Sequence, residues 1–179
     1  MGSETFKRYM KIDCEQYGKY AEELAEKIKG LNKQIEGIVY IQRGGMTLAR
    51  LLSDSLDIRK LYAVDARSYK DIGEQGELEL KSVPRLIAGK TYLLVDDIFD
   101  TGNTLSKVKA AILKESKVEL ITAVLIYKDK NLVKDKPDVY ALECSSSTWV
   151  IFYYEMHETK ESFLKSGNEE GLEALRRKG

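Results

Sequence analysis

Three carboxylates are concentrated in one short stretch near the middle of the chain. Residues 93–104 read LLVDDIFDTGNT, so Asp96 and Asp97 follow an apolar run and Asp100 comes shortly after them. The apolar run predicts a buried strand that carries the acids to the edge of a sheet, where they can bind hydroxyl groups or a hard cation such as Mg²⁺. Because side chains alternate along a strand, Asp96 and Asp97 can share one ligand only if it wraps the strand tip or the strand bends there.

The residues after Asp100 favour the binding of an anion. A helix is predicted from Asn103, and the first amide groups of a helix have no partner within it. Gly102 has no side chain to block a close approach, while Thr101 and Thr104 supply hydroxyl groups. A phosphate beside three carboxylates would be repelled unless a sugar and a cation lay between them. The pattern therefore indicates a phosphorylated, hydroxyl-bearing ligand with Mg²⁺, and the alternative is a capped turn with solvated acids.

Two other nucleotide-binding patterns do not fit. Residues 89–91 read GKT, but Pro84 stands where a phosphate-binding loop has its first glycine, and the segment leads into a predicted strand instead of a helix. A dinucleotide-binding fold is also disfavoured, because no GxGxxG pattern follows the first predicted strand.

Alternating helix and strand patterns surround the acidic stretch. Helices are predicted at residues 14–29, with Asp13 as the cap, and at 48–56 and 103–116, and strands at 36–41, 60–66, 90–97 and 117–128. This alternation indicates an α/β domain with a mostly parallel, twisted sheet flanked by helices. Such a sheet binds its ligands at the carboxyl ends of its strands, which is where the three carboxylates are expected.

The rest of the chain is expected to add smaller parts to one domain. Its 179 residues, 43% of them hydrophobic, are enough for a single core. Residues 67–89 are polar and predict a mobile, two-stranded flap. Residues 137–155 are rich in aromatic side chains and predict irregular structure or short strands. We assign residues 1–157 to the domain and residues 158–179 to a polar, loosely attached C-terminal helix or tail.

Composition excludes several classes of partner. Lys plus Arg equals Asp plus Glu, 29 each, so no overall field attracts nucleic acid or a membrane surface. The sequence has no apolar run long enough to cross a bilayer and no secretion signal, and we expect a soluble, cytoplasmic protein.

Cys14 and Cys144 are expected to be packing or surface thiols, because no disulfide framework or zinc pattern includes them. The single histidine, His157, is expected at the surface.

The LLVDDIFDTGNT stretch resembles the hallmark of the type I phosphoribosyltransferases. In that family an apolar strand is followed by two acids, two apolar residues and Asp-Thr-Gly-x-Thr. The chain is similar to the short microbial xanthine-guanine (6-oxopurine) enzymes over roughly residues 10–155, with supporting segments IQRGG, RSYKD, IYKDK and STWVIFYYE. The resemblance implies the family's fold, in which residues 137–155 form a small hood.

The resemblance also implies a reaction. Such enzymes transfer the phosphoribosyl group of phosphoribosyl pyrophosphate (PRPP) to a purine nitrogen, giving a nucleoside 5′-monophosphate and pyrophosphate. It implies that Asp96 and Asp97 contact the ribose hydroxyls, directly or through Mg²⁺ and water. Asp100 would be the catalytic residue, acting as general base or hydrogen-bond partner of the purine imidazole nitrogen. The 5-phosphate is expected on residues Asp100, Thr101, Gly102, Asn103 and Thr104.

Further site residues follow from the resemblance. Pyrophosphate is expected on the loop of Arg43, Gly44 and Gly45, and Ser68 and Tyr69 would belong to the closing flap. Purine-binding residues would be Lys128 at the 6-oxo group, Trp149 stacked on the base, and the Val150 backbone at the 2-position. Lys128 could instead be a solvated lysine and Trp149 a plain core residue. Phe152, Tyr153 and Tyr154 are expected to serve packing.

Several alternatives stay open on the sequence alone. The chain could use another base, such as adenine, uracil or orotate, or be a catalytically silent nucleotide-sensing regulator of the same fold. The short xanthine-guanine enzymes carry a flap arginine that touches pyrophosphate, whereas this chain has Gly76 near that place, and Lys81 or Arg85 could substitute for it. The order of preference among hypoxanthine, guanine and xanthine is not fixed. A homodimer or homotetramer is expected.

Overall fold

The strands and helices follow one another along the chain much as in the predicted α/β pattern. The computed structural model describes residues 8–68, 78–129 and 136–177. Within them the strands are β1 Arg8–Ile12, β2 Ile35–Gln42, β3 Leu61–Ser68, β4 Leu78–Lys81, β5 Thr91–Phe99, β6 Glu119–Asp129, β7 Val139–Ser145 and β8 Thr148–Phe152. The helices are α1 Cys14–Lys29, α2 Gly45–Ser55, α3 Asn103–Glu115, α4 Met156–Ser166 and α5 Glu169–Arg176, with a 3₁₀ turn at Tyr153–Glu155. Contacts divide the chain into a larger unit, Tyr20–Cys144, and a smaller unit, Met1–Lys19 with Ser145–Gly179.

The sheet of the larger unit has the order β4-β3-β2-β5-β6-β7 among the described residues. Strand β2 runs parallel to β3 and β5, and β5 runs parallel to β6, while β4 is antiparallel to β3. The chain leaves β2 towards β3 and leaves β5 towards β6, so the direction of winding reverses between β2 and β5. In open α/β sheets a ligand crevice opens at such a switch point, beyond the carboxyl ends of the strands.

Central strands are buried on both faces, which explains their continuous apolar sequences. Tyr92, Leu93, Leu94 and Val95 of β5 are fully buried, as are most residues of β6. Helix α3 covers one face with Leu105, Val108 and Ile112, which join the core that includes β5 and β6. The predicted α/β class with a mostly parallel sheet is confirmed.

Helix α1 begins at the predicted cap. The backbone amide of Gln16 donates to Oδ1 of Asp13 at 2.8 Å, and the Asp13 amide donates to Oε1 of Gln16 at 3.2 Å. These two bonds form a capping box, which satisfies two amides that a helix start leaves without partners. The predicted apolar face is buried, with Leu24 and Ile28 at its centre.

The smaller unit joins both ends of the chain. Strand β1 pairs in parallel with β8, and α4 and α5 follow β8. The sequence pattern does not predict β1. Residues 158–179, expected as a helix or tail, contain most of α4 and all of α5, with Phe163 fully buried. Residues 69–77 of the predicted flap, including Tyr69 and Gly76, lie outside the described residues, and the division of the chain at residue 157 stays a prediction.

The described segments include no helix that combines the length and the apolar character needed to traverse a bilayer.

Candidate functional site

Two glycine-containing turns meet at the switch point. The turn after β2 contains Arg43 and Gly44 and leads into α2, and the peptide bond between Gln42 and Arg43 is cis. A Cβ atom added to Gly44 would lie 2.6 Å from both carboxylate oxygens of Asp97, and one added to Gly45 would lie 2.5 Å from the Val95 carbonyl oxygen. Any side chain at these two positions would collide with β5. Glycine therefore allows the turn to lie directly against the acidic end of β5.

The two neighbouring acids occupy different environments. Asp97 is only 5% exposed and lies against the turn that begins α2, while Asp96 is half-buried. The amide of Asp97 donates to Oδ1 of Asp96 at 3.0 Å. A carboxylate beside a helix start is favoured by the partial positive charge of the first amides, which helps to explain the burial of Asp97. The different burial of these consecutive side chains matches the expected alternation along β5.

The turn after β5 prepares the start of α3. Gly102 has a φ of +76°, a left-handed conformation, and a Cβ atom there would lie 2.4 Å from the Phe99 ring. Glycine is needed both for the positive φ and for the close approach of the ring. The Asn103 amide lies 3.4 Å from the hydroxyl of Thr101, and Thr101 and Asn103 are exposed while Thr104 is half-buried. Because Gly102 is the cap residue and has no side chain, it cannot accept from the first amides of α3, which favours an anion as their partner.

A buried cation lies beside the third carboxylate. Phe99 of β5 pairs with Tyr127 of β6, so the residues that follow them, Asp100 and Lys128, are level with each other. Lys128 Nζ lies 3.4 Å from Oδ2 of Asp100. Only 6% of Lys128 is exposed, which excludes the alternative of a solvated surface lysine. Lysine is rarely buried unless paired, and this ion pair supplies the partner.

Cys144 adds a thiol near this pair that the sequence analysis did not connect with the site. Burial raises the pKa of the Cys144 thiol, the positive charge of Lys128 opposes that rise, and the negative charge of Asp100 adds to it. The two charges act on Cys144 because β7 lies next to β6 in the sheet. No sequence signal pointed to this neighbourhood, since residue 144 is far from both partners along the chain.

The remaining predicted residues are distributed as follows. Arg43 is exposed on the turn after β2, and Ser68 is the last residue of β3. Trp149 and Val150 belong to β8 of the smaller unit and are half-buried. Lys81 is exposed and pairs with Glu79 at 3.4 Å. Arg85 and His157 are exposed, and the latter confirms its predicted surface position.

The aromatic residues after Trp149 pack as predicted. The rings of Phe152 and Tyr154 are stacked with centroids 5.4 Å apart. Tyr17 makes edge contacts with both rings and with Tyr153, at centroid distances of 5.6 to 5.8 Å. Tyr17 and Phe152 are buried and Tyr154 is half-buried, while Tyr153 is exposed at the edge of this cluster.

The donor set at the end of β5 fits Mg²⁺ bound together with a substrate. Within residues 8–68, 78–129 and 136–177, no group of three or more His, Cys, Asp or Glu side chains could by itself hold a metal ion. Mg²⁺ in nucleotide sites commonly takes one or two carboxylates and completes its octahedron with substrate oxygens and water. Asp96, half-buried at the strand end, is a carboxylate of this kind, and the more buried Asp97 lies next to it.

Comparisons with known proteins agree with this arrangement. Residues 13–159 match the model of the phosphoribosyl transferase domain family. A xanthine-guanine phosphoribosyltransferase of Idiomarina loihiensis is 29% identical over 126 residues, which are 70% of this chain and 74% of that protein. The structure of the Helicobacter pylori xanthine-guanine-hypoxanthine phosphoribosyltransferase matches with a TM-score of 0.69 and 25% identity, over 89% of this chain and 98% of the other. A purine phosphoribosyltransferase from Pyrococcus horikoshii matches with a TM-score of 0.69 and 27% identity, over 80% and 92%.

Proposed function

Since the chain belongs to the phosphoribosyl transferase domain family, we propose that it is a purine salvage enzyme that transfers the phosphoribosyl group of PRPP to a 6-oxopurine. A purine nitrogen forms the new bond to the anomeric carbon, the bond to pyrophosphate breaks, and a nucleoside 5′-monophosphate is released. The relatives named for xanthine, guanine and hypoxanthine support this class of base.

The observation that carries the proposal is the order of charges along the carboxyl edge of β2 and β5. The start of α2 follows β2, the start of α3 follows β5, and Asp96 and Asp97 lie at the end of β5. PRPP has the same order of groups, with an anion at each end and two hydroxyls between them. The start of α3, from Asp100 to Thr104, would hold the 5-phosphate, and Arg43, Gly44 and Gly45 would hold the pyrophosphate.

The two acids would take the ribose hydroxyls, with Mg²⁺ bound at the same edge. Asp96 is the more accessible of the two, so it is the better ligand for a metal and the better acceptor from a hydroxyl. Asp97 lies against Gly44, so its carboxylate also fixes the pyrophosphate turn relative to β5. When bound, Mg²⁺ would neutralise part of the pyrophosphate charge and so make it a better leaving group.

Asp100 and Lys128 would recognise and activate the base. The Lys128 ammonium has only donors, so it suits a 6-oxo acceptor and disfavours adenine, whose 6-amino group is itself a donor. Asp100 would accept the proton or hydrogen bond of the imidazole nitrogen. Lys128, whose Nζ lies 3.4 Å from Oδ2 of Asp100, would hold that carboxylate in place. Trp149 would stack on the purine, and the Val150 backbone would face the 2-position. Ser68 and Tyr69 would act in a flap that excludes water from the oxocarbenium-like transition state.

A steady-state panel of bases tests this proposal. Purified protein receives PRPP, Mg²⁺ and one base at a time, and the nucleotide products are separated by chromatography, with EDTA replacing Mg²⁺ in the control. We expect product from hypoxanthine, guanine or xanthine, none from adenine, uracil or orotate, and none in EDTA. Product from adenine or a pyrimidine alone would overturn the base assignment. Nucleotide binding in calorimetry without turnover of any base would instead indicate a regulator of the same fold.

The homodimeric or homotetrameric state and the cytoplasmic location stay predictions. Light scattering on the purified protein measures the first, and fractionation of the source cells measures the second.

A further inference from the structure

The single tryptophan of the chain has a fully buried aromatic neighbour. The ring centroids of Trp149 and Phe163 are 5.1 Å apart, with the planes inclined by 58°. Phe163 also makes an edge contact with Tyr9, at 5.8 Å and 85°. Tyr9 and Trp149 are paired residues of β1 and β8, so one phenyl ring from α4 lies against two adjacent strands. Trp149 itself is only half-buried.

Helix α5 restricts the position of the Phe163 ring from another side. A Cβ atom added to Gly171 would lie 2.7 Å from Cε2 and 2.8 Å from Cδ2 of that ring. Glycine is a poor residue for the interior of a helix, and its presence at this position lets α5 approach the ring as closely as a backbone can. The ring is therefore enclosed by β1, β8 and α5, and it cannot change its orientation without moving one of them.

Polar contacts attach both ends of α5 to β1. At the start, Oδ1 of Asn168 accepts from the Gly171 amide at 2.9 Å and from the Tyr9 hydroxyl at 3.0 Å. At the end, Lys11 Nζ donates to the carbonyl oxygens of Leu175 at 3.3 Å and Arg177 at 2.6 Å. Tyr9 and Lys11 project to the same side of β1, because they are two residues apart. The strand and the helix are thus fixed to each other.

We propose that Phe163 is a positioning residue for purine binding, and that α4 and α5 serve to hold the Trp149 indole in the orientation that stacks on the base. The inference rests on the proposed function, in which Trp149 is the stacking residue. A half-buried indole on a strand loses rotamer freedom when it binds a ligand, and a ring fixed against it in advance reduces that loss. We expect the effect on base binding, because the ring contacts described for Phe163 are with Tyr9 and Trp149.

Fluorescence reports on Trp149 alone, since the chain has one tryptophan. In Phe163→Leu we expect the emission maximum to move to longer wavelength and acrylamide to quench it more strongly. Phe152→Leu is the matched control, because Phe152 is also a buried phenylalanine of the smaller unit and its ring contacts are with Tyr17 and Tyr154. It should lower the melting temperature without these changes in emission. Gly171→Ala is a second variant. It keeps the Phe163 ring but displaces it, and the alanine itself favours the helical conformation of α5.

Kinetics separate positioning from simple loss of stability. In Phe163→Leu and Gly171→Ala the KM for the base should rise about three- to tenfold, the range for an aromatic contact, while kcat and the KM for PRPP stay near those of the parent. In a Trp149→Ala background the added Phe163→Leu change should have no further effect on the KM for the base, because the two residues act through one contact.

Three outcomes would overturn the inference, and they are distinguishable. If Trp149→Ala raises the KM for the base but Phe163→Leu behaves like Phe152→Leu, the positioning role is wrong and the proposed function stands. If Trp149→Ala leaves the KM for every accepted base unchanged, tryptophan stacking is wrong and the positioning role is lost with it. Additive effects of Phe163→Leu and Trp149→Ala would likewise contradict a shared contact.

Discussion

Each unit contains a glycine that lets the backbone approach a site-forming side chain very closely, but the side chains are of opposite kinds. In the larger unit Gly44 lies against the carboxylate of Asp97, and in the smaller unit Gly171 lies against the ring of Phe163. The first contact places a glycine turn against a charge, and the second places a helix against an apolar ring. The larger unit therefore organises its site by electrostatics, and the smaller unit organises its aromatic cluster by shape.

This difference predicts different responses to substitution. Changes at the carboxyl edge of the larger unit should alter the chemical step or the binding of charged groups, with modest effects on folding. Changes at Phe163 and Gly171 in the smaller unit should alter stability and base affinity together. The four predictions below test the first half of that contrast, and the Phe163 variants test the second.

The largest effect is expected from Asp100→Asn. The amide cannot accept a proton from the purine nitrogen, so kcat should fall by about 10²- to 10⁴-fold, the usual contribution of general base catalysis. The melting temperature should fall as well, because the buried Lys128 ammonium loses its carboxylate partner. Single-turnover kinetics with PRPP and the preferred base measures the effect.

Asp54→Asn is the control, because Asp54 is 80% exposed and pairs only with Arg50 on α2 among the contacts described. Parent-like turnover by Asp100→Asn would remove Asp100 from the mechanism.

Lys128→Met should come next. Methionine keeps most of the buried aliphatic volume but removes the proposed donor to the 6-oxo group, so kcat/KM for the oxopurine should fall about ten- to hundredfold, as for a charged hydrogen bond. Relative activity with adenine should rise because the rejecting donor is gone. Competition between adenine and the preferred oxopurine in one reaction measures the ratio. An unchanged ratio would mean that another group selects the base.

How far the sequence predicted this site depends on how local each contact is. The strand, acids and helix of residues 93–104 form one continuous segment, so their pattern alone predicted them. The proximity of Lys128 to Asp100 depends on the register between β5 and β6, and the contact of Gly44 with Asp97 depends on β2 lying beside β5. Strand pairing of this kind leaves no signal in a single sequence. Strand β1 was missed because five residues are too few for periodicity to show, and its partner β8 is at the other end of the chain.

Gly44→Ala should have a moderate effect on both PRPP binding and stability. The added Cβ would meet the Asp97 carboxylate at 2.6 Å, so either the turn or the acid must move. We expect the KM for PRPP to rise and the free energy of unfolding to fall by about 1–3 kcal/mol, as for overpacking elsewhere. Gly18→Ala is the matched control, because nothing lies within 4 Å of a Cβ atom there and the residue is inside α1. It should be neutral or stabilising by about 0.5–1 kcal/mol. Denaturant titration measures the free energy of unfolding of both variants, and steady-state kinetics measures their KM for PRPP. If Gly44→Ala and Gly18→Ala gave the same values, the close contact between Gly44 and Asp97 would be contradicted.

The smallest effect is expected in the reactivity of the Cys144 thiol, which has no role in the proposed reaction but responds to the charges near it. Burial raises the pKa of this thiol, so at pH 8 its thiolate fraction should be below that of an ordinary thiol, and its alkylation should speed up only at higher pH. Exposed Cys14 is an internal control, since both cysteines are labelled in the same sample and their peptides are separated by mass spectrometry.

In Lys128→Met the cation that opposes the rise is gone, so the pKa of Cys144 should rise further and its labelling at pH 8 should slow several-fold. Phe163→Leu changes no charge and should leave the pH profile of Cys144 labelling as in the parent. If Lys128→Met left that profile unchanged while Phe163→Leu shifted it, the division between an electrostatic edge and a shape-determined cluster would be wrong.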